Sequence, residues 1–426
     1  MSLVDVAKAK KLKGTISVPG DKSISHRTLL IGAMANGTSH IVGLSEGEDV
    51  QATALIVEQL GATRFKTDDG YAITGPAEGL QPFAGDLDCG NSGTTIRLLA
   101  GITGAIGGVH HLIGDESLSK RPMDRIAEPL FEMGIHVSGN GPRVTAPLVV
   151  EGVDTPRAIS YEVPHVSAQI KSAIIFAALR ADGPSAVIER VRTRSATEDM
   201  LRAAGIKIDS SNVGDGRFIT VEPGRPTPQN WRVPGDPSQS AFFAVLGSIH
   251  PDAVVTVSSI DDSPERIGFV SVLQRMGADI SLTKTQAGSS MEIRSSKLSG
   301  TEIHSYEIPS VDEVPALSVA ACAATGVTKF TKMGELRLKE SDRFAGSMQL
   351  AASLGCKVWS DGDDFFIEGL GGTENFANFE IAGGLDHRMV MSSAVAGAAG
   401  NGCRIEGAET VRSSYPNFFD DLESLT

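Results

Sequence analysis

Aromatic side chains are scarce in this chain, with two Trp, four Tyr and sixteen Phe among 426 residues, so aliphatic and small residues must fill its interior. Cysteine is scarcer still. Cys89, Cys322, Cys356 and Cys403 stand far apart without CxxC or Cys/His spacing, which signals neither a disulfide framework nor a zinc site and leaves four small core residues. No apolar run approaches the ~20 residues of a membrane span. The opening MSLVDVAKAKKLKG lacks the apolar stretch of a secretory signal, so a cytoplasmic protein is expected. Positive charge is in deficit, 38 Lys and Arg against 52 Asp and Glu, and the net −14 argues against nucleic acid or an anionic membrane as partner. No standard phosphate motif is present either: GNSGTT lacks P-loop spacing, and PGDKS has the Lys-Ser pair without its glycine frame.

What the chain does have is repetition. Six times a polar knot opens an apolar helix: PGDKSISHRTLLIGA, CGNSGTTIRLLAGI, PHVSAQIKSAIIFAA, PGDPSQSAFFAVLG, PSVDEVPALSVAACA and GGLDHRMVMSSAVAG. The openings fall near Lys22, Ser92, Ala168, Ser238, Val314 and His387, a period of roughly 70 to 76 residues that marks an internally repeated fold. A helix start is an anion site in waiting, because its first amides lack intrahelical partners and the macrodipole leaves about half a positive charge there.

A second helix in each copy ends on a glycine stop, at Gly61, Gly134, Gly205, Gly277 and Gly355, followed by a strand. Pieces such as TSHIVGL, AVVTVSS and CRIEGAE alternate as strands do. The unit is strand, helix, strand, helix, strand, strand, used about six times, with the last copy cut short at NFFDDLESL. First helices, apolar all round, should be buried in a bundle, while second helices such as EDVQATALIVEQL should cover the outside. The length exceeds what one core serves. Three copies per domain is the natural split, with the boundary in the Pro/Gly-rich stretch from Pro223 to Asp236.

Chemistry concentrates at the openings. Lys22, Ser23 and Arg27 share one, and cations there oppose the dipole unless an anion joins them; the bland alternative is a solvated turn. Lys120, Arg121 and Arg125 follow a Gly/Asp/Ser turn, with Pro122 suited to a first helical position; surface charge alone would also explain them. In LRLKESDRF, Lys339 and Arg343 are four apart and Glu340 and Arg343 three apart, which a helix laced by ion pairs would also give. Asp312 and Asp386, beside His387 and Arg388, stand at the fifth and sixth openings, where each could also be a plain N-cap. Together they suit binding of two anionic molecules and proton transfer between them.

These residues give the chain its resemblance to the 5-enolpyruvylshikimate-3-phosphate synthase family of enolpyruvyl transferases, carried over the full length by PGDKSISHR, GNSGTTIRLLAG, SKRPMDRI, SAQIKSA, PGDPSQSAFF, DEVPALSVAA, LRLKESDRF and DHRMVMS in that order. The resemblance implies a two-domain inside-out α/β fold of six βαβαββ repeats, three per domain, with residues 1–19 and 236–426 in one domain, 20–235 in the other, and the active site in the cleft between them. It implies transfer of the enolpyruvyl group of phosphoenolpyruvate to the 5-hydroxyl of shikimate 3-phosphate, with domain closure, by addition and elimination. Shikimate 3-phosphate would be held by Lys22, Ser23, Arg27, Ser167, Ala168, Gln169 and Arg194, with Asp312 and Lys339 at its ring hydroxyls. Phosphoenolpyruvate would be held by Lys22, Gly93, Arg121, Gln169, Arg343 and Arg388, with Asn91 shaping the turn before Gly93. Asp312 would take the hydroxyl proton, and Lys22 and Glu340 would move protons at the former vinyl carbon. No metal or organic cofactor, no nucleic acid and no membrane is implied, and a monomer is expected.

The chain departs from some members at two places: Ala168 stands where they have a second Ser, and Ser413, beside Arg412, where they have a Lys. A same-fold transferase acting on UDP-N-acetylglucosamine would need a reactive Cys on a mobile loop and an Asn after its Lys, where this chain has Ser23. A non-catalytic anion-binding repeat protein would need neither Asp312 nor Glu340. PGDPSQSAFF, the fourth opening, has no chemical role assigned from sequence.

Overall fold

Helices that are apolar on every face must be enclosed on every face, and three of the six repeated helices, Pro237–Ile249, Val314–Ala323 and His387–Ala399, are buried at each residue. The computed structural model describes residues 2–285, 288–382 and 386–426, so Gly383, Gly384 and Leu385 of the sixth opening lie outside the described residues. The chain divides into two units, Lys22–Val233 and Met1–Asp21 with Pro234–Thr426, each with its own hydrophobic core.

In the unit Lys22–Val233 the inner helices are Lys22–Met34, Gly93–Gly104 and Ala168–Ala178. Ser92 and Ser167 cap the last two by accepting from the Thr95 and Ile170 amides, each cap worth about 1 kcal/mol. The two helices cross so closely that a Cβ on Gly101 would stand 2.2 Å from the Ala173 carbonyl oxygen. In the other unit the three inner helices pack on one another, and Asp236 and Asp386 are the caps of the first and last.

Among the described residues, five four-stranded sheets share one order. In the second repeat, Asp86–Asp88 pairs parallel with Gly108–Ile113, which pairs antiparallel with Thr145–Gly152, which pairs antiparallel with His136–Asn140. Two sheets borrow their first strand from far along the chain. Asn230–Arg232 runs parallel beside Gly37–Val42, and Leu12–Ile16 runs parallel beside Ala253–Ile260. A three-stranded sheet joins Phe379–Ala382 and Cys403–Glu406 to the N-terminal strand Leu3–Val6.

Second helices are amphipathic as their sequences require. In Glu48–Gln59 the buried positions are Asp49, Val50, Thr53, Ala54, Ile56 and Val57, a stripe of helical period. The glycines that end these helices, Gly61, Gly134, Gly205, Gly277 and Gly355, all have positive φ, which no side chain there opposes. One local expectation and one alternative reading fail. Pro122 is not a first helical residue, since the helix starts at Asp124 after a 3-10 turn over Leu118–Lys120. LRLKESDRF is not one helix: a 3-10 turn ends at Leu338, Lys339 is extended, and the α-helix begins at Arg343 under an Asp342 cap. The short polar run SD offers a local side-chain cap that competes with continuing the first turn.

Candidate active site

In the unit Lys22–Val233 the three inner helix openings meet through their side chains. Arg27, buried, donates from Nε to Thr197 Oγ1 at 2.6 Å, from Nη1 to the Ser23 carbonyl at 2.8 Å and from Nη2 to Ser172 Oγ at 2.9 Å. Arg194 Nη1 donates to Ser23 Oγ at 3.1 Å. Ser23, Arg27 and Arg194 therefore form one group, which Ser172 and Thr197 brace from below. Gln169 accepts from Arg97 Nη1 at 2.8 Å and donates to Thr94 Oγ1 at 2.9 Å, joining the third opening to the second. Ser167 caps this helix by accepting through its hydroxyl, which keeps its own proton to donate, and Ala168 is its first residue and offers only backbone.

Arg121 Nη2 donates to Asn91 Oδ1 at 2.7 Å, and Asn91 Nδ2 donates to Asp115 Oδ2 at 2.5 Å. A Cβ on Gly93 would lie 2.9 Å from Arg97 Nη1 and 3.0 Å from Arg121 Nη1, so the absent side chain leaves two guanidiniums flanking a helix start. Lys22 Nζ pairs with Asp49 Oδ2 at 2.7 Å. Next to it His26 is fully buried and hydrogen-bonded to Thr53 Oγ1 at 2.7 Å. Burial, then the Lys22 and Arg27 charges, hold its imidazole well below the ordinary range, so it is neutral. Lys120, by contrast, makes an exposed pair with Glu116 and stands as surface charge.

In the other unit one guanidinium gathers three carboxylates. Arg343, with its side chain 1% exposed, forks onto Asp386 from Nε at 2.8 Å and Nη2 at 3.1 Å, and reaches Glu340 at 2.7 Å and Asp312 at 2.9 Å. Lys339 Nζ lies 3.4 Å from Asp312 and donates to the Ser310 carbonyl at 2.9 Å. Arg388 Nη1 donates to the Asp312 carbonyl at 3.2 Å, with Nη2 3.8 Å from its carboxylate. Three cations and three carboxylates thus interlock at the fifth and sixth openings. Burial works against ionisation of Asp312, yet Lys339, Arg388 and Arg343 outweigh burial and the opposing Glu340 and hold its carboxyl far below the usual range. Asp386 is also held low, by Arg343 against its own burial.

Of the two Asp readings, Asp386 is a cap, accepting from the Arg388 amide at 2.9 Å, and Asp312 is not, because Glu313 holds the N-cap position. Val311, just before Asp312, has φ +50, a left-handed conformation that is costly for a β-branched residue. The fourth opening acquires a structural job. Asp236 caps its helix and, with Asp21, clamps the buried Arg266 at 2.7 and 2.6 Å, while Ser238 donates to Glu313. Arg412 is exposed on the 3-10 turn Ala408–Ser413. All four cysteines are buried, and burial with the Asp88 charge pushes the Cys89 thiol far up, leaving it a poor nucleophile.

Sequence reasoning passed over Asp49, Arg97 and Thr197. Asp49 read as an ordinary polar residue of an amphipathic helix, but Arg97 was legible: it stands four residues after Gly93, on the same helix face.

Comparison with known proteins supplies the context for this arrangement. A sequence model of the family described as EPSP synthase (3-phosphoshikimate 1-carboxyvinyltransferase) matches residues 6–422. A protein of Streptococcus equi subsp. zooepidemicus named 3-phosphoshikimate 1-carboxyvinyltransferase is 38% identical, covering 98% of both chains. One of the same name from Sphingopyxis alaskensis is 42% identical over 96% of this chain and 94% of its own. The solved EPSP synthase of Acinetobacter baumannii superposes with a TM-score of 0.86 at 37% identity, covering 100% of this chain and 98% of that one. With its helix openings carrying the motif residues and the likeness running end to end, the chain belongs to the EPSP synthase family.

Proposed function

We propose that this chain transfers the enolpyruvyl group of phosphoenolpyruvate to the 5-hydroxyl of shikimate 3-phosphate, releasing phosphate. The observation that carries the reading is the Asp312, Glu340 and Asp386 cluster around Arg343, with Lys339 and Arg388 beside it, in a member of the EPSP synthase family. It combines planar forks suited to carboxylate and phosphate with carboxylates able to move protons.

In the addition step the 5-oxygen bonds to C2 of phosphoenolpyruvate, Asp312 takes the hydroxyl proton, and C3 gains a proton to give a tetrahedral ketal. In the elimination step C3 loses a proton and the C2–O bond to phosphate breaks. Lys22 and Glu340 serve the proton at C3. Ser23, Arg27, Ser167, Gln169, Arg194 and the Ala168 backbone hold shikimate 3-phosphate, with Lys339 at a ring hydroxyl. Asn91, Gly93, Arg121, Arg343 and Arg388 hold phosphoenolpyruvate, helped by Lys22 and Gln169. Lys22 and Asp312 would act on one intermediate, and closure of the protein on its substrates accompanies the reaction.

Arg343 has nearly all its donors committed to carboxylates, so an incoming anion competes with Asp312 for the fork. Phosphoenolpyruvate binding therefore frees Asp312 from a cation and raises its basicity when a base is needed. The test is phosphate release from phosphoenolpyruvate: release that depends on shikimate 3-phosphate is expected, and release with UDP-N-acetylglucosamine instead overturns the reading. Small-angle scattering should show compaction on adding shikimate 3-phosphate, and unchanged scattering at saturation counts against closure. The protein is further taken as a cytoplasmic monomer that binds neither nucleic acid nor membrane, its charge of −14 supporting the latter. A solution mass at a multiple of 44.6 kDa overturns the monomer.

A further inference from the structure

Deep in the unit Lys22–Val233 lies a charged cluster that the chemistry above does not use. Lys171, fully buried on the helix Ala168–Ala178, places Nζ 2.7 Å from Glu198 Oε1 and 3.1 Å from Glu189 Oε2, and donates to the Arg194 carbonyl at 2.9 Å. Its three protons are thus matched by three acceptors. Glu189 and Glu198 are buried as well, and Arg217 approaches Glu198 at 3.8 Å from the far side. Glu189 also accepts from Thr193 Oγ1. Buried ions are expensive relative to apolar residues of the same volume, and keeping three of them is best explained by the geometry they impose.

That geometry is the course of residues 190–195, the link between the strand Ser185–Glu189 and the helix Ala196–Ala203. Within it, Thr193 is tied by its side chain and Arg194 by its carbonyl, both to this cluster. Arg190, by comparison, has its side chain 77% exposed and pairs with Glu162 at the surface. The anchored carbonyl fixes where the Arg194 side chain starts, and that side chain ends on Ser23 Oγ. The neighbouring helix residue, Ser172, accepts from the Arg27 guanidinium through its hydroxyl. We propose that Lys171 is a positioning residue for the shikimate 3-phosphate subsite, holding Arg194 in place from behind through its carbonyl; this rests on the assignment of Arg194 to that substrate.

The experiment compares four full-length forms by steady-state kinetics, with thermal melts to establish folding: parent, Arg194→Ala, the triple variant Lys171→Met/Glu189→Gln/Glu198→Gln, and the combination of all four changes. Lys171→Met alone strands two buried carboxylates and is expected to misfold, which is why the triple variant neutralises all three charges together. Both Arg194→Ala and the folded triple variant should raise KM for shikimate 3-phosphate about ten- to hundredfold, the loss expected for a charge-assisted contact. KM for phosphoenolpyruvate should stay near the parent value. The combined variant should be no worse than Arg194→Ala, since Lys171 acts through Arg194. Unchanged KM for shikimate 3-phosphate in the folded triple variant, additive losses in the combination, or equal losses for both substrates each overturn the role of Lys171. If Arg194→Ala itself leaves KM unchanged, the assignment of Arg194 falls, and the inference with it.

Discussion

Replacing Asp312 with Asn separates two effects that the cluster around Arg343 binds together. The amide keeps the size of the side chain and removes both the proton acceptor and one negative charge. Loss of a general base typically lowers turnover by about 10² to 10⁴, equivalent to roughly 3 to 5 kcal/mol in the barrier. The charge change runs the other way. Asp312 lies 2.9 Å from Arg343 and 3.4 Å from Lys339, so it competes with any anion for both cations. A unit charge pair at such a distance is worth up to roughly 5 to 6 kcal/mol at the effective dielectric of a protein surface. Phosphoenolpyruvate should therefore bind Asp312→Asn as tightly as the parent or more so, while kcat collapses. Phosphate release at saturation and calorimetric titration with phosphoenolpyruvate in the presence of shikimate 3-phosphate measure the two quantities. A kcat within about threefold of the parent refutes the base role, and weakened phosphoenolpyruvate binding refutes the competition for the Arg343 fork. The pH profile offers an independent check. In the free protein the three cations hold the Asp312 carboxyl low, and bound anions should offset them. The acid limb of kcat should then lie at higher pH than that of kcat/KM; limbs that coincide or lie in reverse order sink the idea.

Gly93→Ala should raise KM for phosphoenolpyruvate and leave the melting temperature nearly unchanged, because its Cβ meets only the movable ends of Arg97 and Arg121; a lost fold or an unaffected KM would contradict this. Arg266→Met leaves Asp21 and Asp236 buried without their cation and should cost about 3 to 5 kcal/mol in urea unfolding; a loss under 1 kcal/mol would show the clamp to be dispensable. His26 has its folded pKa depressed, so the unfolded chain binds the extra proton, and stability should fall as pH drops below about 6.5, by up to roughly 1.4 kcal/mol per pH unit. His26→Gln should remove that slope relative to the parent, and identical pH profiles for the two would count against it.

Repetition made the architecture legible, because a helix that is apolar all round and a glycine that ends its neighbour recur at a fixed spacing whatever the tertiary context. Lys22 and Arg27 stood out because cations near a helix start are unfavourable without a counter-ion, and Arg343 because its spacing from Lys339 and Glu340 is that of one helix face. What the pattern concealed was the counter-ion of Lys22. Asp49, which pairs with Lys22, sits on a helix where an acidic first-turn residue is ordinary, and nothing local distinguishes it. The break inside LRLKESDRF was equally hidden, since i,i+4 spacing is compatible with a helix until an Asp342 cap restarts the count at Arg343. Lys171 looked like one polar residue in an apolar helix; its two glutamates lie 18 and 27 residues further along, beyond the reach of any local pattern.

The borrowed strands set an order of events for a chain made from its N-terminus. Leu12–Ile16 has no sheet to join until Ala253–Ile260 has been synthesised, and Leu3–Val6 waits for Cys403–Glu406. Lys22–Val233 depends on no such delay, because Asn230–Arg232 completes its first sheet from within. On the ribosome this middle segment can therefore reach its native pairing while Leu3–Val6 and Leu12–Ile16, although made earlier, remain unpaired and exposed.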